Sequence, residues 1–248
     1  MEIDPLFRKA LAEGVGIFAF FFAGIGAIVA NQGVVASGPT VVLIVAFAHG
    51  IMLAIMVSAL GAVSGGHFNP AVTLGLFVGR MIDVRTLVVY WAAQLIGAIL
   101  AAVAVTVAFP KVLWNPSHIG LPALGSGVGF GTGVFIEALL TFFLVLAVYG
   151  TAVDPRHPPI GGLAIGLTVF VDILVGAGQT GAAMNPARAF GPAVVSSTWT
   201  NQLVYWIGPL IGGAVAGVLF KTIFWQTPAE TTGQPAAALE PGLVRPKK

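Results

Sequence analysis

The chain has 248 residues, of which 57% are hydrophobic and 8% charged, with a mean hydropathy of +0.97. A soluble domain carries about 25% charged residues, so the composition is that of an integral membrane protein. The formal charge of +2 is small and scattered, which excludes a nucleic-acid binder, and the lack of cysteine excludes disulfides, a thiolate metal site and a thiol nucleophile.

From the N-terminus, no signal-peptide cleavage site precedes the first long apolar run, which is read as a permanent span, Leu11–Ala30. A bilayer-crossing helix needs about 20 mostly apolar residues. Thr40–Leu60 and Thr86–Phe109 meet that requirement, as do Gly133–Ala152 and Leu203–Phe224, while Ile160–Val175 is short. Two further helical stretches, Pro70–Val78 and Pro186–Val195, are about half the needed length and cannot cross alone. The expected architecture is all-α, with six spans and two half-helices. It occupies residues 1–226, and residues 227–248, rich in Pro, Ala and polar side chains, read as a disordered, solvent-exposed tail.

Basic residues orient the spans. With the N-terminus inside, Arg8, Lys9, Arg80, Arg85, Arg156, Lys221, Arg245, Lys247 and Lys248 are cytoplasmic and only Lys111 lies outside, apart from Arg188 within the membrane. Both termini are therefore expected in the cytoplasm. The two halves, about 7–110 and 131–226, also resemble each other: Glu13 matches Glu137, and an Asn-Pro-Ala follows in each, at Asn69-Pro70-Ala71 and Asn185-Pro186-Ala187. Three full spans per half make these repeats inverted.

Asparagine is a preferred N-cap and proline suits the first helical position. Each Asn-Pro-Ala therefore reads as a helix start, preceded by extended backbone in "SGG" and "TGAA". Non-helical backbone at membrane depth survives only when buried in protein or lining a watery cavity. Two such starts, one from each side, bring two electropositive helix ends together near the midplane. That meeting point repels cations and protons, while Asn69 and Asn185 still offer amide donors to a neutral molecule.

On "HFNPAVT" and "MNPARAFGP", the chain resembles the aquaporins of the major intrinsic protein family from about Phe7 to Trp225. The resemblance implies an aquaporin-like fold with one pore per subunit, usually in a homotetramer. It places His49, Ile173, Ala182 and Arg188 at the outer constriction, a set similar to that of plant tonoplast-type members. Isoleucine and alanine there leave room for ammonia, hydrogen peroxide or urea beside water. A buried ion pair is the alternative reading for Arg188, and simple packing for His49. His118 matches a loop histidine that extends this filter, with solvent exposure as the alternative. The same resemblance implies that His67 faces the inner vestibule, that the carbonyls of Gly65, Gly66, Gly181 and Ala182 form an acceptor ladder, and that Glu13 and Glu137 brace the unwound loops. Ala189 and Ala193, where glycerol-type members carry Asp and a basic residue, and the pair Tyr205–Trp206 match the water type. Interface aromatics are the alternative for that pair.

The function implied is passive permeation of water and small neutral solutes, with ions and protons excluded and with no enzymatic activity, cofactor, metal or nucleic-acid partner. Two other classes remain: an ion-coupled secondary transporter, which inverted repeats also build, and a membrane-junction protein with an incidental pore. The cell membrane is the expected host. Asp172, beside Ile173, has no role that the resemblance assigns; a neighbouring subunit, the outer mouth and headgroup water are three candidates for what it meets.

Overall fold

The computed structural model describes residues 3–32, 38–156 and 158–225. Two expectations lie outside these residues: the 227–248 tail and the three basic residues within it. The elements are α1 (Pro5–Ala30), α2 (Pro39–Ser64), α3 (Pro70–Val78), α4 (Val84–Ala108), α5 (Lys111–Trp114), α6 (Phe130–Val148), α7 (Gly161–Thr180), α8 (Pro186–Ser196) and α9 (Val204–Leu219). Single π-helical turns, Tyr149–Val153 and Phe220–Phe224, extend α6 and α9, and their rings stack, Tyr149 on Phe220, at 5.1 Å between centroids.

Local chemistry sets the helix starts. Proline occupies the first position of α1, α2, α3 and α8, where its missing N–H costs nothing. Asp4, Asn69, Asp83 and Asn185 cap their helices by accepting a backbone N–H. At Asp83, outside the membrane, the bonds from Thr86, with the Arg85 charge as a lesser cause, hold the carboxyl below its ordinary pKa.

Among the described residues, six helices are long and apolar enough to cross a membrane. The fifth differs from expectation, because α7 runs to Thr180 rather than Val175. Its last turns, "GAGQT", read poorly as a span, yet Gly176 packs closely on Leu140 and Ala182, and such tertiary contact overrides weak propensity.

Packing repeats the same pattern twice: α1 lies on α4 as α6 lies on α9, and α3 packs on α9 as α8 packs on α4. The halves meet along α2 and α7 and where α3 approaches α8. Close crossings occur at small residues. A Cβ added to Gly217 would sit 2.2 Å from the Gly75 carbonyl oxygen, and one added to Gly97 would sit 2.4 Å from that of Gly14.

Candidate functional site

The approaches to α3 and α8 are not extended, as "SGG" and "TGAA" suggested. In each loop the residues four, three and one before the asparagine have positive φ: Gly65, Gly66 and Phe68 at 94°, 64° and 45°, and Gly181, Ala182 and Met184 at 80°, 48° and 53°. Gly65 and Gly181 are left-handed C-caps of α2 and α7, a conformation glycine adopts without steric cost. Phe68, Ala182 and Met184 adopt it as non-glycine residues, which costs energy that the surrounding bonds must offset.

Those bonds centre on the two glutamates, each completely buried. Glu13 Oε1 accepts from Ser64 Oγ at 2.7 Å and His67 N at 2.9 Å, and Oε2 accepts from Phe68 N at 2.7 Å and Gln94 Nε2 at 2.8 Å. Glu137 Oε1 accepts from Thr180 Oγ1 at 2.6 Å and Ala183 N at 2.9 Å, and Oε2 accepts from Met184 N at 2.6 Å. Ser64 and Thr180 themselves accept from Gly66 N and Ala182 N. Tyr90 Oη donates to Ser64 O at 2.6 Å, and Tyr205 Oη donates to Thr180 O at 2.9 Å. Tyr205 is thus a fully buried clamp rather than an interface aromatic, whereas Trp206 meets Trp91 and Phe190 edge-on. Sequence reading missed Ser64, Tyr90, Gln94 and Thr180. The matched spacing of Ser64 and Thr180, each five residues before its asparagine, was the available signal for that pair; Gln94 has no polar counterpart in the other half.

The asparagines lock the halves together. Asn69 Oδ1 caps its own helix through Ala71 N at 2.8 Å, while its Nδ2 donates to Met184 O at 2.9 Å. Asn185 Oδ1 accepts from Ala187 N at 3.0 Å, and its Nδ2 donates to Phe68 O at 2.8 Å. An amide nitrogen has two protons, so each asparagine keeps one for another acceptor.

Both asparagines line a cavity that also takes in His49, His67, Ile173, Ala182 and Arg188. Gly66 borders it too, while Gly65 and Gly181 do not. No hydrogen bond among the described residues ends on the carbonyls of Gly65, Gly66, Gly181 or Ala182. The rest of the wall is apolar: Phe68, Ala183 and Met184 come from the two loops, and Phe20, Leu53, Val72, Leu144, Val148, Ile165 and Val169, from the helices, were missed. The register of Ile165, Val169 and Ile173, one turn apart, was its only trace in the sequence.

Arg188 is 5% exposed. Its Nε donates to His49 Nε2 at 3.3 Å, and its Nη1 is buried with no hydrogen-bond partner among the described residues. His49 Nδ1 lies 2.8 Å from Val45 O; a carbonyl only accepts, so the proton sits on Nδ1 and Nε2 is the acceptor. The alternative of an ion pair for Arg188 is not what the bonds describe, since its partner is an imidazole. His118 is exposed, lies 3.3 Å from Thr198 Oγ1 and does not border the cavity. Asp172 lines a separate outer groove with Phe143 and Thr168, and its Oδ2 is buried with no partner among the described residues.

Comparison with known proteins adds sequence and fold likeness to this geometry. The family model described as "Major intrinsic protein" matches residues 2–220. The chain is 46% identical over 222 residues to Aquaporin TIP4-4 of Zea mays, covering 88% of this chain and 86% of that protein. It is 41% identical over 231 residues to Aquaporin TIP1-1 of Arabidopsis thaliana, covering 90% and 89%. Among solved structures, the aquaglyceroporin from Plasmodium falciparum superposes with a TM-score of 0.78 at 24% identity, over 88% of this chain and 97% of that one; at that identity the likeness is one of fold.

Proposed function

The chain belongs to the major intrinsic protein family, and from that premise we propose that it is a passive transmembrane channel for water and small neutral solutes. The observation that carries this reading is the cavity at the join of two opposed half-helices, bordered by both cap asparagines and Arg188. Water passes in single file, exchanging bonds with the spare amide protons of Asn69 and Asn185. Ions lose hydration that the apolar wall does not replace, and each half-helix N-terminus adds roughly half a positive charge against cations and protons.

His49, Ile173, Ala182 and Arg188 form the selectivity filter in this reading. Arg188 supplies the charge and a free donor, His49 holds Arg188 to one side, and Ile173 with Ala182 leaves width for ammonia, hydrogen peroxide or urea. The free carbonyls of Gly66 and Ala182, which border the cavity, serve as acceptors along the path, and Glu13 and Glu137 hold the loops that present them. His118 belongs to the outer mouth beside Thr198 rather than to the narrowest part. No step makes or breaks a covalent bond, so no catalytic group, metal or cofactor is needed.

The protein is an integral multi-pass membrane protein. Both termini lie in the cytoplasm, following the basic residues, and four copies assemble as a homotetramer. The plant relatives carry TIP designations and lend no support to the expectation of a cell-membrane host.

Stopped-flow light scattering on proteoliposomes tests the reading. Fast swelling with a low activation energy, linear in the osmotic gradient, is expected. Flux that saturates, or that needs a sodium or pH gradient, would overturn it in favour of a coupled transporter. Flux no faster than that of empty vesicles would leave only a junction protein.

A further inference from the structure

The two halves of the lumen are built alike but are not equivalent. Counting from each asparagine, Val72 stands where the outer half has Arg188, His67 stands where it has Ala183, and Thr73 stands where it has Ala189. By the matched tyrosines, Gln94 stands where the outer half has Pro209. The cytoplasmic half therefore continues from its glutamate, Glu13, into a chain of polar side chains, Gln94, Thr73 and His67, whereas the matching glutamate of the outer half, Glu137, has no such continuation.

The direction of every bond in that chain is determined. Glu13 already accepts from Ser64, His67 N and Phe68 N, so Gln94 must turn its amide nitrogen toward it. The second proton of Gln94 Nε2 goes to Thr73 Oγ1 at 3.0 Å, and Gln94 Oε1 is left buried with no partner among the described residues. The Thr73 hydroxyl has one proton, which goes to Asn69 O at 2.9 Å. Its remaining lone pair faces His67 Nδ1 at 3.1 Å, so His67 carries its proton on Nδ1. Nε2, on a ring that borders the lumen, is then an acceptor.

We propose that Gln94 is a positioning residue for permeation: it fills one side of the Thr73 hydroxyl and so holds His67 in a single tautomer. The inner half of the lumen then offers a ring-nitrogen acceptor opposite the donors of the outer half. Gln94 and Asn69 O together seat the Thr73 hydroxyl. Without Gln94 the side chain is held at one point only, and its hydroxyl can leave Asn69 O and turn its proton to His67 Nδ1. The imidazole proton then moves to Nε2, which reverses the polarity of this contact. The groups facing His67 are Glu13 from α1 and Tyr90 from α4, whose ring meets the imidazole edge-on at 5.0 Å; neither supplies a substitute donor or acceptor to Nδ1. This proposal deepens the channel reading above and rests on it.

The test is ¹⁵N solid-state NMR of the histidine-labelled full chain in proteoliposomes. The chain has four histidines, and the His67 signals are assigned by their loss in His67→Asn. The expected result is a protonated Nδ1 and a bare Nε2 in the unaltered chain. Gln94→Met should add a second signal set with the proton on Nε2, as should Thr73→Val, which keeps the Gln94–Glu13 bond. Gln94→Asn, polar but one methylene short, serves if the apolar side chain does not reconstitute. A proton on Nε2 in the unaltered chain overturns the proposal, and so does an unchanged His67 spectrum in the Gln94 variants. Water flux recorded on the same vesicles separates the two readings. Absence of flux in the unaltered chain sinks the channel, whereas an unperturbed tautomer in a conducting Gln94 variant sinks only the positioning role.

Discussion

Arg188 spends one of its donors, Nε, on His49 and leaves another, Nη1, open. Replacing it with valine removes the charge and strands His49 Nε2 without a proton to accept. Arg188→Val is therefore expected to raise proton or urea leakage about ten- to a hundredfold, as the loss of a charge-assisted bond worth about 1.5–3 kcal/mol implies. Proton and solute selectivity in proteoliposomes checks this, and unchanged values would contradict the filter role. Glu137 carries a different burden, since three donors converge on it from a loop with strained residues. Glu137→Leu strands all three, at about 1–3 kcal/mol for each buried group. A clearly lower unfolding temperature in detergent is expected, with Glu137→Gln in between. These residues were legible because charge inside a span is rare and has a reason. His118 was less so: its position depends on a loop in which His118, Ile119 and Gly120 all have positive φ, and no local pattern announces such a path.

At the scale of elements, the short helices are held by their neighbours' lack of side chains. α3 lies so close to α9 that a Cβ on Gly217 would collide with the Gly75 carbonyl oxygen, and a backbone oxygen cannot swing away. Gly217→Val is expected to push α3 and its cap Asn69 out of place, lowering water permeability to near that of empty vesicles. The measurement needs a matched count of inserted protein, because reduced insertion would mimic the effect. The six spans and two half-helices were readable, since twenty-residue apolar runs and the Asn-Pro starts are strong local signals, whereas the single-turn α5 was not. The end of α7 was not, because its glycine-rich final turns are stabilised by packing against Leu140 rather than by their own propensity. The apolar wall of the lumen was illegible for a related reason. Leucine and valine facing lipid, core or pore are the same letters, and only the neighbouring helices decide which surface each one meets.

As a whole, the molecule is two copies of one plan threaded through the bilayer in opposite senses, and the copies differ at Val72 against Arg188, His67 against Ala183 and Thr73 against Ala189. A rigid assembly of this kind needs no rearrangement to conduct, so flux should rise linearly with the osmotic gradient and be indifferent to sodium. With no cysteine in the chain, micromolar mercury is expected to leave water flux unchanged. Clear inhibition would show that mercury acts through another group.

The crossed asparagine bonds have a consequence for biogenesis. Asn69 finds its carbonyl 115 residues further along the chain, and Asn185 reaches back 117. The first re-entrant helix is made and membrane-inserted well before the backbone that fastens it leaves the ribosome. Until then, the loop before it can use the Glu13 brace but lacks the opposite half as its keeper. The pore is consequently assembled last, as a post-insertion event, and a nascent chain halted short of Met184 should expose the loop around Phe68 to protease while its first three spans are already in place.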